Sequence, residues 1–168
     1  NKTYIHEQNF IYGLANKINY LFSNFSFISF PKAGLKSKEI YVGNFFKKVL
    51  HTNGKPQVGK NKILLIGGSA GSIELNNQLI NYIKKIPIKE IDKFEFNIQI
   101  PSSQTSIKDQ YKKLCKNINF FDFIDDLKFY DYNLIFSRCG SGSMFEILYY
   151  TDKVFFVPHL HSRDLHQK

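Results

Sequence analysis

The sequence has few cysteines and no long apolar run, and both absences narrow the class of protein. Its two cysteines, Cys115 and Cys139, do not form a C-x-x-C pair, which argues against a disulfide framework and against a thiolate zinc site. Charged or amide residues interrupt each apolar run well before the ~18 residues that a membrane-spanning helix needs. The opening segment NKTYIHEQNF also lacks the apolar core of a secretory signal. We therefore expect an intracellular, globular protein with reduced, packed thiols.

Acidic residues are also scarce relative to basic ones. The 168 residues include 23 Lys and Arg against 14 Asp and Glu, a formal charge of +9. An AT-biased genome accounts for this composition without any function; the alternatives are attraction to anionic lipid, to a phosphorylated substrate or to nucleic acid. The lysines stand singly or in pairs and form no single block, which argues against a nucleic-acid-binding arm. We expect no nucleic-acid partner.

Apolar periodicity predicts that strands and helices alternate along most of the chain. The N-terminal part is predicted to contain a helix within 10–22, a strand at 25–30 and a short strand ending at 43, before a turn-rich linker at 51–61. The predicted elements beyond it are strand 62–66, helix 72–86, strand 94–100, helix 105–115, strand 117–121, short helix 125–131, strand 132–137, helix 143–151 and strand 153–157. This alternation indicates βαβ units and a parallel sheet covered on both faces.

A glycine-rich turn, GGSAGS at 67–72, separates the first of these regular strands from its helix. Backbone N–H groups in such a turn, together with the N-terminus of the following helix, suit a diphosphate. A tight strand-to-helix turn alone would also require the glycines. The turn is not G-x-G-x-x-G, and no G-K-[ST] follows it, so an NAD-binding module is weakly supported and ATP hydrolysis is disfavoured.

A second glycine-rich segment, SRCGSGSMFEI at 137–147, precedes the last predicted helix. Ser143 and Glu146 have the spacing of a capping box, which would serve only to start that helix. Alternatively, Glu146 accepts hydrogen bonds from a ligand diol such as a ribose. Arg138, at the end of the preceding strand, is either a phosphate partner or a member of a buried ion pair.

Histidines and carboxylates cluster at two further places. The segment VPHLHSRDLHQ, at 157–167, brings His159, His161 and His166 near Asp164, but their spacing matches no standard zinc motif and we expect no metal. Near the N-terminus, IHEQN contains Glu7 beside a histidine. This pair indicates either acid–base chemistry or a helix cap.

Six segments, in this order, resemble the MurG family of bacterial glycosyltransferases. They are HEQNFIYGLANK (6–17), YVGN (41–44), LLIGGSAGS (64–72), FIDDL (123–127), SRCGSGSMFEI (137–147) and VPHLHSRDLHQ (157–167). The resemblance implies an α/β fold of the GT-B type. Residues 1–43 would then end an N-terminal, acceptor-side Rossmann-like domain, and residues 44–168 would form a truncated C-terminal domain whose parallel sheet binds the UDP-sugar.

The resemblance also implies where the nucleotide binds. Ser69 would belong to the diphosphate loop, and Gly142 and Ser143 would touch the same diphosphate. The backbone of Ile124 would meet the edge of the uracil. Glu146 would bind the ribose.

Contacts to the sugar, and departures from the family pattern, follow from the same resemblance. Gln167, with His166, would contact the GlcNAc hydroxyls, and Asn9 would reach the sugar from the N-terminal domain. Lys47 stands where the family usually has an arginine, so that a point charge replaces a bidentate fork. Ala70 stands where the family usually has a glutamine. The catalytic base remains unassigned.

The function that the resemblance implies is transfer of N-acetylglucosamine from UDP-GlcNAc to lipid I, which forms lipid II in peptidoglycan synthesis. Such a transfer would invert the sugar and use no metal or other cofactor. Lipid I is undecaprenyl-linked, so the protein would sit peripherally on the cytoplasmic face of the inner membrane. The alternatives are a non-catalytic UDP-sugar-binding remnant, one half of a split enzyme, or an NAD-binding module.

Overall fold

The computed structural model describes residues 1–46, 61–68, 71–123 and 127–159. Strands and helices alternate through most of this part of the chain, and a 3₁₀-helix at Phe129–Asp131 precedes the seventh strand. The elements are β1 (Tyr4–Glu7), α1 (Leu14–Phe22), β2 (Phe25–Ile28), β3 (Glu39–Tyr41), β4 (Asn61–Ile66), α2 (Ile73–Ile83), α3 (Ile88–Ile91), β5 (Phe94–Gln99), α4 (Thr105–Leu114), β6 (Ile118–Phe121), β7 (Leu134–Arg138), α5 (Ser141–Tyr150) and β8 (Val154–Val157).

The strands form two sheets. The first has the order β1-β2-β3 and the second the order β6-β5-β4-β7-β8. Every recorded pair of strands is parallel. The parallel α/β architecture predicted from the alternation of strands and helices is therefore confirmed.

The core of the five-stranded sheet follows from the alternation of side chains along β4. Leu64 and Leu65 are both fully buried although successive strand residues point to opposite faces. Leu65 packs in the cluster that includes α2 and α4, whereas Leu64 packs in the cluster that includes α5 and the 3₁₀-helix. Both faces of the sheet thus carry helices, as parallel sheets require.

The strand order places the two glycine-rich loops side by side. The chain moves outward from β4 through β5 to β6, and then returns to add β7 on the other side of β4. Ile66 at the end of β4 is paired with Ser137 of β7. This reversal is the topological switch point of an open parallel sheet, where ligands bind beyond the carboxyl ends of the strands.

The element boundaries differ from the predicted ones at a few places. Helix α5 begins at Ser141 and not at residue 143, and the short elements β1 and α3 were not predicted. Only the 3₁₀-helix is observed within the short helix predicted at 125–131, whose first two residues lie outside the described ranges. Nearly all of the predicted 51–61 linker also lies outside them.

Aromatic side chains connect the N-terminal segment to α5. The ring centroids of Phe30 and Phe145 are 5.0 Å apart, and those of Phe46 and Tyr149 are 5.3 Å apart. Phe30 also contacts Phe10, at 6.1 Å. The domain boundary at 43/44 stays a prediction. Among the described helices, none combines the length and the apolar character that a bilayer crossing requires.

A buried hydroxyl joins α4 to α2, and we predict that its removal destabilises the fold. The Tyr111 hydroxyl is fully buried and donates to the backbone oxygen and to Oδ1 of Asn76, at 3.2 and 3.1 Å. Tyr111→Phe leaves these buried acceptors without that donor, which should lower the free energy of unfolding by about 1–3 kcal/mol. Urea denaturation measures the change.

The matched control is Tyr82→Phe, because Tyr82 lies on α2 and is 64% exposed. We expect its denaturation midpoint to equal that of the wild type. Equal midpoints for Tyr111→Phe and the wild type would contradict the prediction.

Candidate functional site

The turn after β4 needs its glycines for steric reasons. A Cβ on Gly67 would lie 2.3 Å from the backbone nitrogen of Ser72, and one on Gly71 would lie 2.8 Å from Cδ of Pro101. Gly68 and Gly71 also have φ angles of 87° and 69°, in the left-handed region that favours glycine. The tight-turn explanation therefore holds for this loop. Ser69 and Ala70 lie outside the described residues.

Two buried amide side chains hold this turn against the neighbouring strand. Gln99, at the end of β5, accepts a hydrogen bond from the Gly67 N–H at 2.9 Å and donates to the Asp122 carbonyl at 3.1 Å. Asn76 donates from Nδ2 to the Ser72 carbonyl at 2.9 Å. The sequence analysis missed both residues. The signal that could have found them is a polar residue in an otherwise apolar strand or helix face.

Arg138 is a member of a buried ion pair. Its side chain is 7% exposed, and Nη2 lies 2.8 Å from Glu74 Oε2. Nε and Nη2 also donate to Ser72 Oγ, at 3.1 and 2.9 Å, and Nη1 donates to the Pro158 carbonyl at 2.9 Å. His159 Nε2 lies 3.8 Å from the same Glu74 oxygen. Since the guanidinium is already bonded on all sides, the ion-pair alternative holds and the phosphate-partner alternative does not.

A cleft of about 360 Å³ opens between this network and the glycine turn. Its polar lining includes Glu74, Gln104, Arg138 and His159. Gln104 Oε1 is buried and receives no hydrogen bond from any described residue. Buried polar atoms normally have a partner, so this oxygen is an unused acceptor at the edge of the cleft.

The loop after β7 differs from the first because packing does not explain its glycines. A Cβ on Gly140 or on Gly142 would meet no atom of the described residues within 4 Å. Gly140 is the N-cap of α5 and has no side chain with which to cap it. Among the described residues, no side chain caps the N–H groups of the first turn or fills the space beside its glycines. A helix N-terminus of this kind attracts anions.

The predicted capping box at Ser143 and Glu146 is wrong. Because α5 begins at Ser141, Ser143 is the third residue of the helix and Glu146 the sixth. A capping box needs its serine at the N-cap and its glutamate three residues later, facing the free N–H groups. Glu146 lies too far along the helix to serve that purpose.

Glu146 is instead a half-buried carboxylate without a bonding partner in the described part of the chain. Burial raises its pKa above the ordinary glutamate value, since desolvation disfavours the charged form. No hydrogen bond or ion pair from a described residue compensates this cost. A ligand hydroxyl pair would supply the missing donors.

Glu7 is almost fully buried and accepts four hydrogen bonds. The donors are the N–H and Nδ2 of Asn9, at 2.9 and 3.2 Å, and the Gly13 N–H and Asn16 Nδ2, both at 3.0 Å. Burial by itself raises the pKa of Glu7, but these hydrogen bonds outweigh it and hold the pKa below the ordinary value. With its oxygens so occupied, Glu7 caps the start of α1 and is not placed for acid–base chemistry with His6, which contacts Ser29.

The structure describes half of the predicted substrate-binding residues. Asn9, Gly142, Ser143 and Glu146 lie within it; Lys47, Ser69, Ile124 and Gln167 lie outside the described residues. Gly142, Ser143 and Glu146 all lie in α5. Phe145 of the same helix contacts Phe30, and Phe30 contacts Phe10, the residue after Asn9. Asn9 is thus connected to α5 through two ring contacts, and its place in the site stays a prediction.

Within the described ranges, no three His, Cys, Asp or Glu side chains come together in a way that could hold a metal ion. His161, Asp164 and His166 of the predicted histidine cluster fall outside those ranges. His159 is described and pairs with Glu74.

Comparison with known proteins identifies the family. A family model described as "Glycosyltransferase family 28 C-terminal domain" matches residues 62–168. This chain belongs to that glycosyltransferase family. The matched region begins within β4 and contains both glycine-rich loops, so the switch-point site lies inside the family 28 domain.

Curated family 28 relatives match almost the whole chain. The UDP-N-acetylglucosamine--N-acetylmuramyl-(pentapeptide) pyrophosphoryl-undecaprenol N-acetylglucosamine transferase of Wigglesworthia glossinidia brevipalpis is 33% identical over 97% of the chain. The protein of the same name from Psychromonas ingrahamii is 30% identical, also over 97%. The match covers 47% of each relative, so the chain spans about half the length of the curated relatives it matches. The predicted resemblance to MurG is confirmed.

Solved structures agree on the fold. The crystal structure of Acinetobacter baumannii MurG aligns with a TM-score of 0.76 and 24% identity, covering 99% of this chain and 48% of that one. A glycotransferase of kitacinnamycin aligns with a TM-score of 0.62 and 12% identity, over 92% of this chain and 41% of that one. The predicted Rossmann-like, GT-B type of fold is thereby confirmed.

We predict that breaking the Arg138 pair destabilises the domain. Arg138→Met leaves Glu74 and the Ser72 hydroxyl without their buried partner. We expect a loss of about 2–4 kcal/mol in the free energy of unfolding, less than for a fully buried pair because the Glu74 side chain is 32% exposed. Guanidinium chloride denaturation provides the measurement.

Lys93→Met serves as the control, since Lys93 forms an exposed pair with Glu90 at 2.7 Å. Exposed pairs contribute little, so we expect a change within about 0.5 kcal/mol. Equal effects of the two substitutions would show that burial of the Arg138 pair has no energetic importance.

Proposed function

We propose that this chain binds UDP-GlcNAc as the donor-binding part of a transferase that moves GlcNAc to lipid I, forming lipid II in peptidoglycan synthesis. The observation that carries the proposal is the pair of glycine-rich loops beyond β4 and β7, at the switch point of a family 28 domain. Open α/β sheets bind their ligands at this position. The relatives quoted above are named as transferases of N-acetylglucosamine to a pyrophosphoryl-undecaprenol acceptor.

The diphosphate of the donor binds at the start of α5. Gly142 and Ser143 lie in its first turn, where no described side chain caps the helix or fills the space beside the glycines. Ser69 and Lys47 complete this part of the site. When the acceptor hydroxyl attacks the anomeric carbon, the bond to the diphosphate breaks and negative charge grows on the leaving UDP. The helix dipole and the backbone N–H groups stabilise that charge.

The remaining parts of the donor bind on either side of the diphosphate. The Glu146 carboxylate accepts hydrogen bonds from the ribose hydroxyls, which provide donors that the described residues do not. The backbone of Ile124 meets the uracil. Asn9 and Gln167 contact the sugar. The transfer inverts the anomeric carbon and uses no metal or other cofactor.

Glu146→Gln tests the nucleotide assignment. The wild type should bind UDP-GlcNAc more tightly than ADP-glucose in isothermal titration. The substitution should weaken UDP-GlcNAc binding by ~1–3 kcal/mol, because hydrogen bonds to a charged acceptor are stronger than those to an amide. Glu90→Gln, at an exposed glutamate on α3, should change nothing. Equal affinity for the two nucleotide sugars would contradict the assignment.

Two further measurements on Glu146→Gln separate ligand binding from stability. Because the folded-state pKa of Glu146 is raised, ionised Glu146 disfavours folding above that pKa, and the amide should melt no lower than the wild type. Wild-type affinity should fall as the pH is lowered through the pKa of Glu146, since protonation removes the charge that strengthens the hydrogen bonds, while the variant should lack this step. A variant that melts lower yet binds normally would point to a structural role.

Turnover distinguishes the proposed transferase from the alternatives. Incubation with UDP-GlcNAc and a lipid I analogue should give lipid II analogue if the chain holds all that catalysis needs. Binding of UDP-GlcNAc without turnover would support a UDP-sugar-binding remnant or one half of a split enzyme.

A lipid-linked acceptor implies contact with the cytoplasmic face of the inner membrane. The net charge of +9 favours anionic headgroups, and we expect weak electrostatic binding to anionic vesicles at low salt. This binding should disappear at physiological ionic strength, where the Debye length is ~8 Å. Co-sedimentation across a salt series provides the measurement, with neutral vesicles as the control.

Retention at high salt would contradict a purely electrostatic association. In that case we would propose α1 as the apolar anchor, because its Leu14, Leu21 and Phe22 are 72%, 71% and 76% exposed. Replacing Leu21 and Phe22 with serine would abolish such retention.

A further inference from the structure

We propose that Glu7 is a positioning residue for the sugar of the donor: it turns the Asn9 amide so that Oδ1 is presented to a sugar hydroxyl. This inference rests on the proposed function, in which Asn9 contacts the GlcNAc. Glu7 itself touches no substrate and acts through Asn9.

The geometry about Glu7 leaves the Asn9 side chain a single orientation. Both the backbone N–H and Nδ2 of Asn9 donate to Glu7 Oε1, at 2.9 and 3.2 Å. A carboxylate only accepts hydrogen bonds, so the NH₂ group of the amide must face it and the carbonyl oxygen must face away. The carboxylate is ionised, because its hydrogen bonds hold the pKa of Glu7 below the ordinary value. The orientation of the Asn9 amide is therefore set by chemistry.

The outward atom, Asn9 Oδ1, accepts no hydrogen bond from any described residue, and Asn9 is half-buried. An amide oxygen can only accept, so the group that binds it must be a donor such as a sugar hydroxyl. Were the amide reversed, it would offer NH₂ to the ligand and favour an acceptor. Glu7 thus determines whether Asn9 offers the ligand an acceptor or a donor.

Capping of α1 accounts for only half of the bonds to Glu7. Gly13 and Asn16 donate to Oε2 and connect the carboxylate to the beginning of the helix, whereas Oε1 receives only the two Asn9 bonds. A buried charge is costly unless it is fully hydrogen-bonded. The two Asn9 bonds therefore complete the set of hydrogen bonds to a carboxylate that is 2% exposed. Burial of Glu7 thus depends on the position of the turn at Asn9.

Two successive ring contacts lead from the turn at Asn9 to the helix that carries Glu146. Phe10 packs against Phe30 at 6.1 Å, and Phe30 packs edge-on against Phe145 of α5 at 5.0 Å. One ligand that extends from Glu146 toward this turn would place its ribose at one end and its sugar at the other. The position of Asn9 therefore suits the sugar end of UDP-GlcNAc.

Titration of UDP-GlcNAc and of UDP against the 168-residue chain tests the inference. Glu7→Gln keeps the shape of the side chain but offers an NH₂ group to one pair of donors. The Asn16 amide is also held by the His6 carbonyl, at 3.0 Å, so the NH₂ group should face Asn9, whose amide then loses its fixed orientation. UDP-GlcNAc affinity should fall about tenfold, which corresponds to one hydrogen bond of ~1.4 kcal/mol, while UDP affinity should stay unchanged. Asn9→Ala should give the same loss, and combining the two substitutions should add nothing to it.

Glu39→Gln is the matched control, because Glu39 is 8% exposed in the same sheet and accepts the Lys36 N–H at 3.0 Å. Glu39→Gln should lower the melting temperature yet leave the ratio of the two affinities unchanged. If Glu7→Gln fails to fold, Asn9→Asp keeps an outward acceptor but removes the donor to Glu7, and the same tenfold loss is expected.

The outcomes separate this inference from the proposed function. A wild type that binds neither UDP nor UDP-GlcNAc would overturn both. A wild type that prefers UDP-GlcNAc, with the same preference in Glu7→Gln or in Asn9→Asp, would overturn the positioning role alone. Loss of affinity for UDP and UDP-GlcNAc in parallel would also overturn it, since a sugar contact cannot affect UDP.

Discussion

The arrangement of the site depends on the guanidinium of Arg138. This side chain lies at the end of β7 and bonds at once to the N-cap and first turn of α2 and to the carbonyl that follows β8. It therefore fixes three chain segments that meet at the carboxyl edge of the sheet. Because the guanidinium is buried, any rearrangement of one segment must break bonds to the others.

The two glycine-rich loops look alike in the sequence but have different physical roles. Glycines in the first loop avoid collisions with Ser72 and Pro101 and adopt positive φ angles. Glycines in the second loop avoid no atom of the residues that the structure describes. Since packing against the described residues does not require glycine at the start of α5, we infer that these glycines leave space for a ligand. In the family 28 domain, that free volume lies beside the residues proposed for the diphosphate.

The strands of the five-stranded sheet were predictable because buried apolar runs and flanking turn residues are local signals. The start of α5 was not, since Ser-x-x-Glu has the same spacing whether or not its serine is the N-cap. The role of Arg138 depends on Glu74, which is sixty-four positions away in the sequence. A local sequence pattern cannot reveal a pair that far apart. The donors to Glu7 all lie within nine positions of it, yet their convergence requires the turn that folds them together. The sequence therefore indicated the alternative roles of each residue, and only the tertiary contacts decided between them.

The contact of Phe30 with Phe145 has a mechanical consequence. Within the described residues, no backbone hydrogen bond joins the three-stranded sheet to the five-stranded one, and the connection consists of aromatic rings. Ring contacts are weakly directional and remain favourable over a range of offsets and tilts. The two sheets can therefore rotate by small angles about these rings without losing the contact.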